Sequence, residues 1–346
     1  MAASPFNIVD MILKLNKKEP LTAKEMSSVM EQIVTGGASD SQIEEFLLAL
    51  RNKGETVEEI TAAAKMMRKH ALRLPREVPD LLDTCGTGGD EQRTLNVSTL
   101  SALVACAAGA KVAKHGNRSV SGVCGSADLL EMLGVKIDLA PERTLQGIEL
   151  TGFGFFFAPN FHPATRYAMP ARKKIKGKTL FNLLGPLANP ANASRQLVGV
   201  YEDRLVPIFA EVLLKLGVRR ALVAHGEDGL DEISISAATQ VAEIKDGKVL
   251  EYRVMPEDFN MKQESLESLR VGSKEESRDT ALKVLQGDSG AASKIVCLNA
   301  AAALYVADIA KSVKEGILMA MDVLESGRAA KKLKQIALFS QKSGAP

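Results

Sequence analysis

The sequence predicts an α/β protein with a small all-helical domain and a larger α/β domain built on a central, mostly parallel sheet. Three observations support this fold class. Helix-capping patterns crowd the first seventy residues, short apolar strands alternate with helical stretches from Pro79 onward, and the length of 346 residues suits two domains of roughly 100–200 residues each. A hydrophobic content of 46% is enough for a sizeable core and excludes a disordered chain.

The amino-terminal segment carries start and stop signals for short amphipathic helices. Thr22-x-x-Glu25, Ser41-x-x-Glu44 and Thr56-x-x-Glu59 match the capping box, in which a hydroxyl and a carboxylate bind free N–H groups at a helix start. Gly36 and Gly54 stand where the first two helices are expected to end. The segment is therefore predicted to be all-helical.

The rest of the chain alternates between strand and helix patterns. This alternation indicates βαβ units and a mostly parallel sheet. Two alternating runs within Thr239–Val254 flank Asp246-Gly247, a strong hairpin signal, and the chain is helical after Glu275. The candidate parallel strands are Asp80–Asp83, Lys111–Lys114, Gly154–Ala158, Gln196–Tyr201 and Ala221–Ala224.

Charge and composition limit the classes of partner. With 44 Lys and Arg against 42 Asp and Glu, the chain lacks the basic excess typical of nucleic-acid binding. The uncharged stretch Thr94–Ala110 is too short and too polar for the ~20 apolar residues of a membrane span. The amino terminus has no secretory pattern, and the four cysteines form no C-x-x-C pair. We expect a cytoplasmic protein without nucleic-acid or membrane partners.

The positive charge is concentrated in one segment. No acidic residue stands between Glu149 and Glu202, so the rest of the chain carries a net charge of −5. The segment is either a solvated basic face or a local site for anions. Its seven cations are Arg166, Arg172, Lys173, Lys174, Lys176, Lys178 and Arg195.

A glycine-rich turn follows the first candidate strand. In Asp83-Thr84-Cys85-Gly86-Thr87-Gly88-Gly89-Asp90 the glycines allow positive φ and close backbone approach, so that N–H groups can converge on a phosphate. The turn matches neither common phosphate fingerprint, and a purely structural turn is the alternative. The polar run Thr94–Thr99 continues it, at the start of the predicted helix Leu100–Ala108, where free N–H groups favour phosphate.

A second polar loop follows the next strand. Lys114-His115-Gly116-Asn117-Arg118-Ser119 lies at the end of that strand, and Ser126 precedes another helix. Ligands of parallel sheets bind beyond the carboxyl ends of the strands. Both loops are therefore expected to face one cleft.

These motifs, taken in order, resemble the anthranilate phosphoribosyltransferases. Besides the two loops, the resemblance covers His162-Pro163-Ala164, the run Phe181-Asn182-Leu183-Leu184-Gly185-Pro186 that continues to Asn189-Pro190, and Asp231-Glu232. The motifs span nearly the whole chain. The resemblance implies a fold of the nucleoside phosphorylase/phosphoribosyltransferase type and a role in tryptophan biosynthesis.

The resemblance also implies a domain division and a reaction. Residues 1–73 with 163–195 would form the helical domain and the interface of a homodimer, and 74–162 with 196–346 the phosphoribosyl-binding domain. The phosphoribosyl group of 5-phosphoribosyl 1-pyrophosphate (PRPP) would pass to the amine of anthranilate with Mg²⁺. The products would be N-(5-phosphoribosyl)anthranilate and pyrophosphate.

The site residues follow from the same resemblance, position by position. PRPP would be held by Gly86, Gly89, Asp90, Thr94, Asn96, Ser98, Thr99, Lys114, Asn117, Ser119 and Ser126. Anthranilate would be held by Gly86, His115, Asn117, His162 and Arg172. The metal ligands would be Ser98, Asp231 and Glu232.

The residue types suit this chemistry without a protein acid or base. Mg²⁺ commonly uses one or two carboxylates together with substrate phosphates, and the amine attacks directly, so catalysis is mostly positioning and electrostatics. Arg172 can grip a carboxylate with its planar fork. Without the family, Asp231-Glu232 reads as a surface acidic pair, and the phenylalanine run at 153–157 as a core strand or a base-stacking platform.

The chain departs from the family pattern at two positions. Thr165 stands where Met or a larger residue is usual, which changes the outer anthranilate pocket, and Lys178 stands where Arg is usual. Lys does not replace Arg in a bidentate contact. The competing functions are a pyrimidine-nucleoside phosphorylase on a similar fold and a non-catalytic relative that binds nucleic acid.

Overall fold

The computed structural model describes residues 6–119 and 123–342. The chain begins with four helices, α1 (Ile8–Asn16), α2 (Ala23–Val34), α3 (Asp40–Lys53) and α4 (Val57–Lys69). The three capping patterns predict α2, α3 and α4, whereas α1, capped by Asn7, has no predicted counterpart. In the ranges described, none of the helices has the length and apolar character that crossing a membrane requires.

Two of the three predicted capping boxes are confirmed and one is wrong. The boxes at Thr22 and Thr56 form as expected. At α3 the cap is Ser39 rather than Ser41: the Gln42 N–H donates to Ser39 Oγ at 3.3 Å, and the Ser39 N–H donates to Gln42 Oε1 at 2.9 Å. Both registers fit a capping pattern, and the earlier start adds two residues of helical backbone bonding.

A seven-stranded sheet forms the centre of the protein. Its order is β3-β2-β1-β4-β5-β6-β7; the first five strands along the chain are parallel and the last two antiparallel. The predicted fold class is confirmed, and each predicted strand boundary lies within two residues of the observed one. The strands are β1 (Leu82–Asp83), β2 (Val112–Gly116), β3 (Phe153–Phe157), β4 (Arg195–Gly199), β5 (Arg220–Gly226), β6 (Thr239–Lys245) and β7 (Lys248–Val254).

The predicted hairpin joins β6 to β7. Lys245 pairs with Lys248 across a two-residue turn. Asp246 has φ of 52° and Gly247 φ of 71°, the left-handed conformations that a type I′ turn requires at both central positions.

The remaining helices cover the two faces of the sheet. The first of them, α5 (Val97–Ala107), begins three residues before the predicted start. The others are α6 (Ser126–Met132), α7 (Pro141–Thr151), α8 (Ala158–Phe161), α9 (Met169–Lys174), α10 (Leu180–Leu187), α11 (Leu205–Lys215), α12 (Lys274–Leu285), α13 (Ala291–Val306), α14 (Val313–Glu325) and α15 (Arg328–Gln341).

Two large apolar cores hold these layers together. One joins one face of the sheet to α5, α13 and α14. The other joins α11 and the opposite face to the amino-terminal helices, together with α9 and α10. The helices α9 and α10 pack against α3 and α4. The predicted helical domain likewise groups α9 and α10 with the amino-terminal helices. The exact domain boundaries stay a prediction.

The phenylalanine run is a core strand and not a stacking platform. Phe153, Phe155 and Phe156 in β3 are buried, which decides between the two interpretations of this run.

The strand order also places a crevice in the sheet. The order reverses between β1 and β4, and ligands of open α/β sheets bind at such a switch point.

Candidate active site

The glycine-rich loop rests on the end of β4 and on Asp231. The Thr87 N–H donates to the carbonyl of Gly199 at 2.9 Å, and the Gly88 N–H donates to Asp231 Oδ2 at 2.8 Å. A Cβ on Gly86 would lie 2.7 Å from Asp231 Oδ2, so a side chain at this position would displace the Asp231 carboxylate. The loop is thereby held across the switch point between β1 and β4.

Asp231 and Glu232 belong to this loop rather than to an open surface. Both are partly buried, and Glu232 Oε1 accepts the Ser98 N–H at 3.0 Å in the first turn of α5, where negative charge is favoured. Burial raises the pKa of both carboxyls, and Asp231 raises the pKa of Glu232 further. The interpretation of the pair as a surface feature is wrong.

Asp90 completes a group of three acids. Burial and the neighbouring Asp231 raise the pKa of Asp90 to about 7, while Lys178 opposes the rise. In the part of the chain that the structure describes, His, Cys, Asp and Glu side chains nowhere form a three-residue metal cage. Carboxylates of this kind are the ligands that Mg²⁺ uses together with waters and substrate phosphates, one or two at a time.

Lys114 lies beneath the loop. Its side chain is buried, and its Nζ donates to the Thr84 carbonyl at 2.9 Å and to Ser98 Oγ at 3.3 Å. The ammonium also opposes the pKa rise of Asp83 and Glu232. Lys114 therefore fixes Ser98, one of the predicted metal ligands, and supplies positive charge under the loop.

The start of α5 contains three more of the predicted PRPP residues. Asn96 is at the N-cap position without capping the helix; its Nδ2 donates to the Cys124 carbonyl at 2.9 Å and so ties the two polar loops together. The Thr99 hydroxyl is buried and has no hydrogen-bond partner among the described residues. Thr94 forms an isolated bridge with Arg270.

The second polar loop is held by Asp128. This buried carboxylate accepts the N–H groups of Ser119 and Gly125, both at 3.0 Å, and Lys274 Nζ at 2.9 Å. Although burial opposes it, these bonds lower the pKa of Asp128 to about 2. Ser126 Oγ donates to the Asn117 carbonyl at 3.2 Å. The two loops share one end of the sheet, as predicted.

His115 and His162 form a buried, uncharged pair beside the loops. Their ring centroids are 5.1 Å apart, and His115 Nδ1 lies 2.9 Å from the Gly185 carbonyl in α10. Burial lowers the pKa of His115 to about 3 and that of His162 to about 4. Both imidazoles are neutral at pH 7, which does not suit a protonated acid.

Arg172 lies on α9 above an aromatic ring. Its guanidinium carbon is 4.9 Å from the centroid of Phe181, its Nη1 is 3.7 Å from the sulfur of Met169, and burial lowers its pKa. Within residues 6–119 and 123–342, no carboxylate forms an ion pair with it, whereas Arg195 of the same basic segment pairs with Asp80 and Asp308. Arg172 is therefore open to an anionic ligand.

Three residues without an assigned role support the site. Asp83 is fully buried and accepts the His115 N–H at 3.2 Å and Asn189 Nδ2 at 2.7 Å; burial raises its pKa to about 6. His225 lowers the pKa of Asp231. Asp83 and Asn189 stand inside the sequence motifs, so a signal for them existed, whereas His225 lies outside any motif.

The fold and the site together define a class of enzyme. Phosphate-suited loops at a switch point, beside clustered carboxylates, fit an enzyme that binds phosphorylated substrates. Residues 78–330 match the family model described as "Glycosyl transferase family, a/b domain". Residues 9–71 match the "Glycosyl transferase family, helical bundle domain". The chain is a glycosyltransferase.

Relatives identify the family within this class. The chain is 47% identical to the anthranilate phosphoribosyltransferase of Alkaliphilus metalliredigens, over 95% of this chain and 97% of the relative. It is 51% identical to that of Alkalilimnicola ehrlichii, over 90% and 93%. The chain belongs to the anthranilate phosphoribosyltransferase family, and the resemblance noted in the sequence is confirmed.

Solved structures agree with this assignment. The anthranilate phosphoribosyltransferase of Thermus thermophilus has a TM-score of 0.90 and 42% identity, covering 96% of this chain and 100% of that chain. The Saccharomyces cerevisiae enzyme in complex with PRPP and Mg has a TM-score of 0.87 and 25% identity, covering 96% and 97%. Neither alternative function receives support from the comparisons.

Proposed function

We propose that the protein transfers the phosphoribosyl group of PRPP to the amino nitrogen of anthranilate and releases pyrophosphate. The observation that carries this proposal is a division of charge within one cleft. The loops and the pair Asp231-Glu232 suit a metal-bound diphosphate, and Arg172, with no carboxylate partner among the described residues, suits a carboxylate. A pyrimidine-nucleoside phosphorylase has no need of the second feature.

PRPP is proposed to lie across the two loops and the start of α5. The backbone N–H groups at Gly86 and Gly89 and the first turn of α5 face its phosphates. Asn96 joins the two loops, so one ligand can contact both. The full proposed set is Gly86, Gly89, Asp90, Thr94, Asn96, Ser98, Thr99, Lys114, Asn117, Ser119 and Ser126.

Mg²⁺ is proposed to bind at Ser98, Asp231 and Glu232. The Mg and PRPP named for the yeast relative support the metal. The geometry supports the metal as well. Glu232 accepts a hydrogen bond from the Ser98 N–H at the start of α5, so two of the proposed ligands already lie close together. Burial raises the pKa of Asp231 and Glu232, and a bound cation would compensate their negative charge. When bound, the metal stabilises the negative charge of the departing pyrophosphate.

Anthranilate is proposed to lie between Arg172, His115 and His162, next to Gly86 and Asn117. The guanidinium of Arg172 binds the carboxylate through paired N–H groups, a charge-assisted contact worth roughly 1.5–3 kcal/mol. The neutral imidazoles pack against the ring without adding charge. No protein nucleophile takes part, because the amine itself attacks the ribose carbon as pyrophosphate leaves, so the chain contributes orientation and electrostatics.

We further propose a homodimer formed through the helical domain. Val9 and Leu13 expose 42% and 58% of their surface on α1, and covering such apolar residues stabilises an association. Sedimentation is expected to give a dimer for the wild type and a monomer for Leu13→Lys.

A cytoplasmic location is also proposed, since all four cysteines are free thiols, as is usual in a reducing compartment.

The test of the reaction is loss of anthranilate fluorescence on addition of PRPP and Mg²⁺. We expect turnover that requires all three components and yields one pyrophosphate per anthranilate consumed. Uridine or thymidine with phosphate serves as the matched control for a nucleoside phosphorylase. Folded protein that consumes a nucleoside but no anthranilate would overturn the proposal.

A further inference from the structure

Lys178 reaches the glycine-rich loop from the helical layer. It precedes α10, on the side of the cleft opposite the sheet. A Cβ on Gly89 would lie 3.2 Å from Lys178 Cε, and Lys178 Nζ lies 3.6 Å from the ring centroid of Tyr201, just after β4. The side chain therefore spans the cleft and ends next to the turn that is proposed to hold PRPP.

The backbone that carries Lys178 is fixed from α3. Arg51 Nη1 donates to the carbonyl of Lys176 at 2.9 Å and to that of Lys178 at 3.3 Å. Between them Gly177 has φ of 91°, a conformation that favours glycine. The direction of the lysine is thus set by the helical layer, and its ammonium lies over the ring of Tyr201.

The charge of Lys178 acts on the loop without being neutralised by an ion pair. It opposes the pKa rise of both Asp90 and Asp231. Nevertheless, among the described residues no carboxylate lies within ion-pair distance of the Lys178 Nζ, and no side chain accepts a hydrogen bond from it. The ammonium faces a loop that suits a diphosphate, and its N–H donors are available to a ligand.

Three other cations at the two loops are already bound. Lys114 donates to Thr84 and Ser98, Lys274 pairs with Asp128 at 2.9 Å, and Arg118 pairs with Glu131 at 2.5 Å. An ammonium acts on phosphate as a compact point charge. Of the cations named at the loops, Lys178 is the one whose donors remain open.

We propose that Lys178 binds the diphosphate of the phosphoribosyl donor, so that the helical layer supplies one cation to the Gly86–Asp90 loop. The inference rests on the proposed placement of PRPP at this loop. Lys178 would contact the leaving group on the side away from Asp231 and Glu232.

The test is calorimetric titration with pyrophosphate, in the presence and absence of Mg²⁺, in four proteins: wild type, Lys178→Met, Lys178→Arg and Lys176→Met. We expect Lys178→Met to weaken pyrophosphate binding about tenfold, as for the loss of one charge-assisted contact. Lys178→Arg should stay within about threefold of wild type. Lys176→Met removes an exposed charge two residues away and should leave the affinity unchanged.

A steady-state measurement separates binding from a structural role. Lys178→Met should raise the KM for PRPP by a similar factor and leave the KM for anthranilate unchanged, and a structural defect would move both. If Lys178→Met unfolds, Lys178→Gln takes its place, with the thermal midpoint as the check on folding.

Three results would overturn the inference. The first is an unchanged pyrophosphate affinity in Lys178→Met. The second is an equal loss of pyrophosphate affinity in Lys178→Met and Lys176→Met. The third is a wild-type protein that binds no pyrophosphate. These titrations contain no anthranilate. Tight pyrophosphate binding together with absent anthranilate turnover would therefore defeat the proposed reaction and leave the role of Lys178 intact.

Discussion

The loop side of the cleft, formed by Gly86–Asp90 with Asp231 and Glu232, differs in charge from the helix side. The helix side consists of Arg172 on α9, of His115, which extends from β2 to α10, and of His162. Burial acts on both sides, with opposite consequences. On the loop side it raises the pKa of the carboxyls. On the helix side it lowers the pKa of the imidazoles, with Lys114 and Arg68 adding to the effect at His115, so that the charge on this side is positive.

The difference shows how one cleft can sort two anionic substrates. Clustered carboxylates repel an anion unless a cation arrives with it, which selects a metal-bound diphosphate. A guanidinium without a carboxylate partner among the described residues needs no metal to bind a carboxylate. Exchanging the two ligands would place the diphosphate away from the acids that can hold its metal and the carboxylate next to them, so the charges favour one orientation of the reactants.

Removing the charge of the loop side is expected to have the largest effect. The double variant Asp231→Asn, Glu232→Gln should lower kcat/KM by about 1,000-fold at fixed Mg²⁺, because metal stabilisation of developing charge is worth several kcal/mol. The Mg²⁺ concentration for half-maximal rate should rise. Initial rates across a Mg²⁺ titration measure both effects.

The control for that variant is Glu227→Gln. Glu227 is an exposed acid near the same segment that pairs with Arg253 at 2.5 Å, and its loss should change neither quantity. An unaltered Mg²⁺ dependence in the double variant would mean that the metal ligands lie elsewhere and would remove the distinction between the two sides.

The histidines of the helix side predict a pH dependence of stability. Their pKa values of about 3 and about 4 in the folded protein lie below ~6.5, the value for an unfolded histidine. The unfolded state therefore binds more protons as the pH falls below ~6.5. From pH 7 to pH 5 the free energy of unfolding should fall by about 2 kcal/mol per histidine.

The double variant His115→Gln, His162→Gln isolates this effect. Asp83, whose pKa is raised to about 6 by burial, acts in the opposite direction, because the folded state holds its proton more tightly. Urea unfolding of wild type and variant at pH 7 and pH 5 leaves the Asp83 contribution in both proteins. An equal loss of stability in the two proteins on acidification would show that the imidazoles are not buried as neutral groups.

A smaller effect is expected from Arg172. Arg172→Ala should raise the KM for anthranilate about tenfold, from the contact energy of one charge-assisted bond, and should leave the KM for PRPP unchanged. Lys173→Ala, which removes the exposed neighbouring charge, is the matched control. Steady-state kinetics that gave an unchanged anthranilate KM in Arg172→Ala would remove Arg172 from the acceptor site.

Sequence patterns are sufficient for the fold because its signals are local. The five parallel strands and the hairpin at Asp246-Gly247 follow from short-range alternation and turn chemistry. The start of α3 is the exception, because Ser39 and Ser41 offer competing caps only two residues apart, and local pattern does not decide between them.

The site is less accessible to sequence because its contacts join distant segments. The bond from the Ser98 N–H to Glu232 spans 134 positions, and that from Asn189 to Asp83 spans 106. No local pattern reports such pairs, so Asp83 and Asn189 stand within the motifs without a role that the sequence reveals. Lys178 is visible as a departure from the family, but its direction depends on Arg51 in α3.

A crystal structure with PRPP, Mg²⁺ and an unreactive anthranilate analogue tests the sorting of substrates by charge most directly. We expect the diphosphate and the metal to lie between the Gly86–Asp90 loop and Asp231-Glu232, with the analogue's carboxylate on Arg172. A diphosphate bound at Arg172, or an analogue carboxylate seated on the glycine-rich loop, would contradict the division of the cleft into two sides.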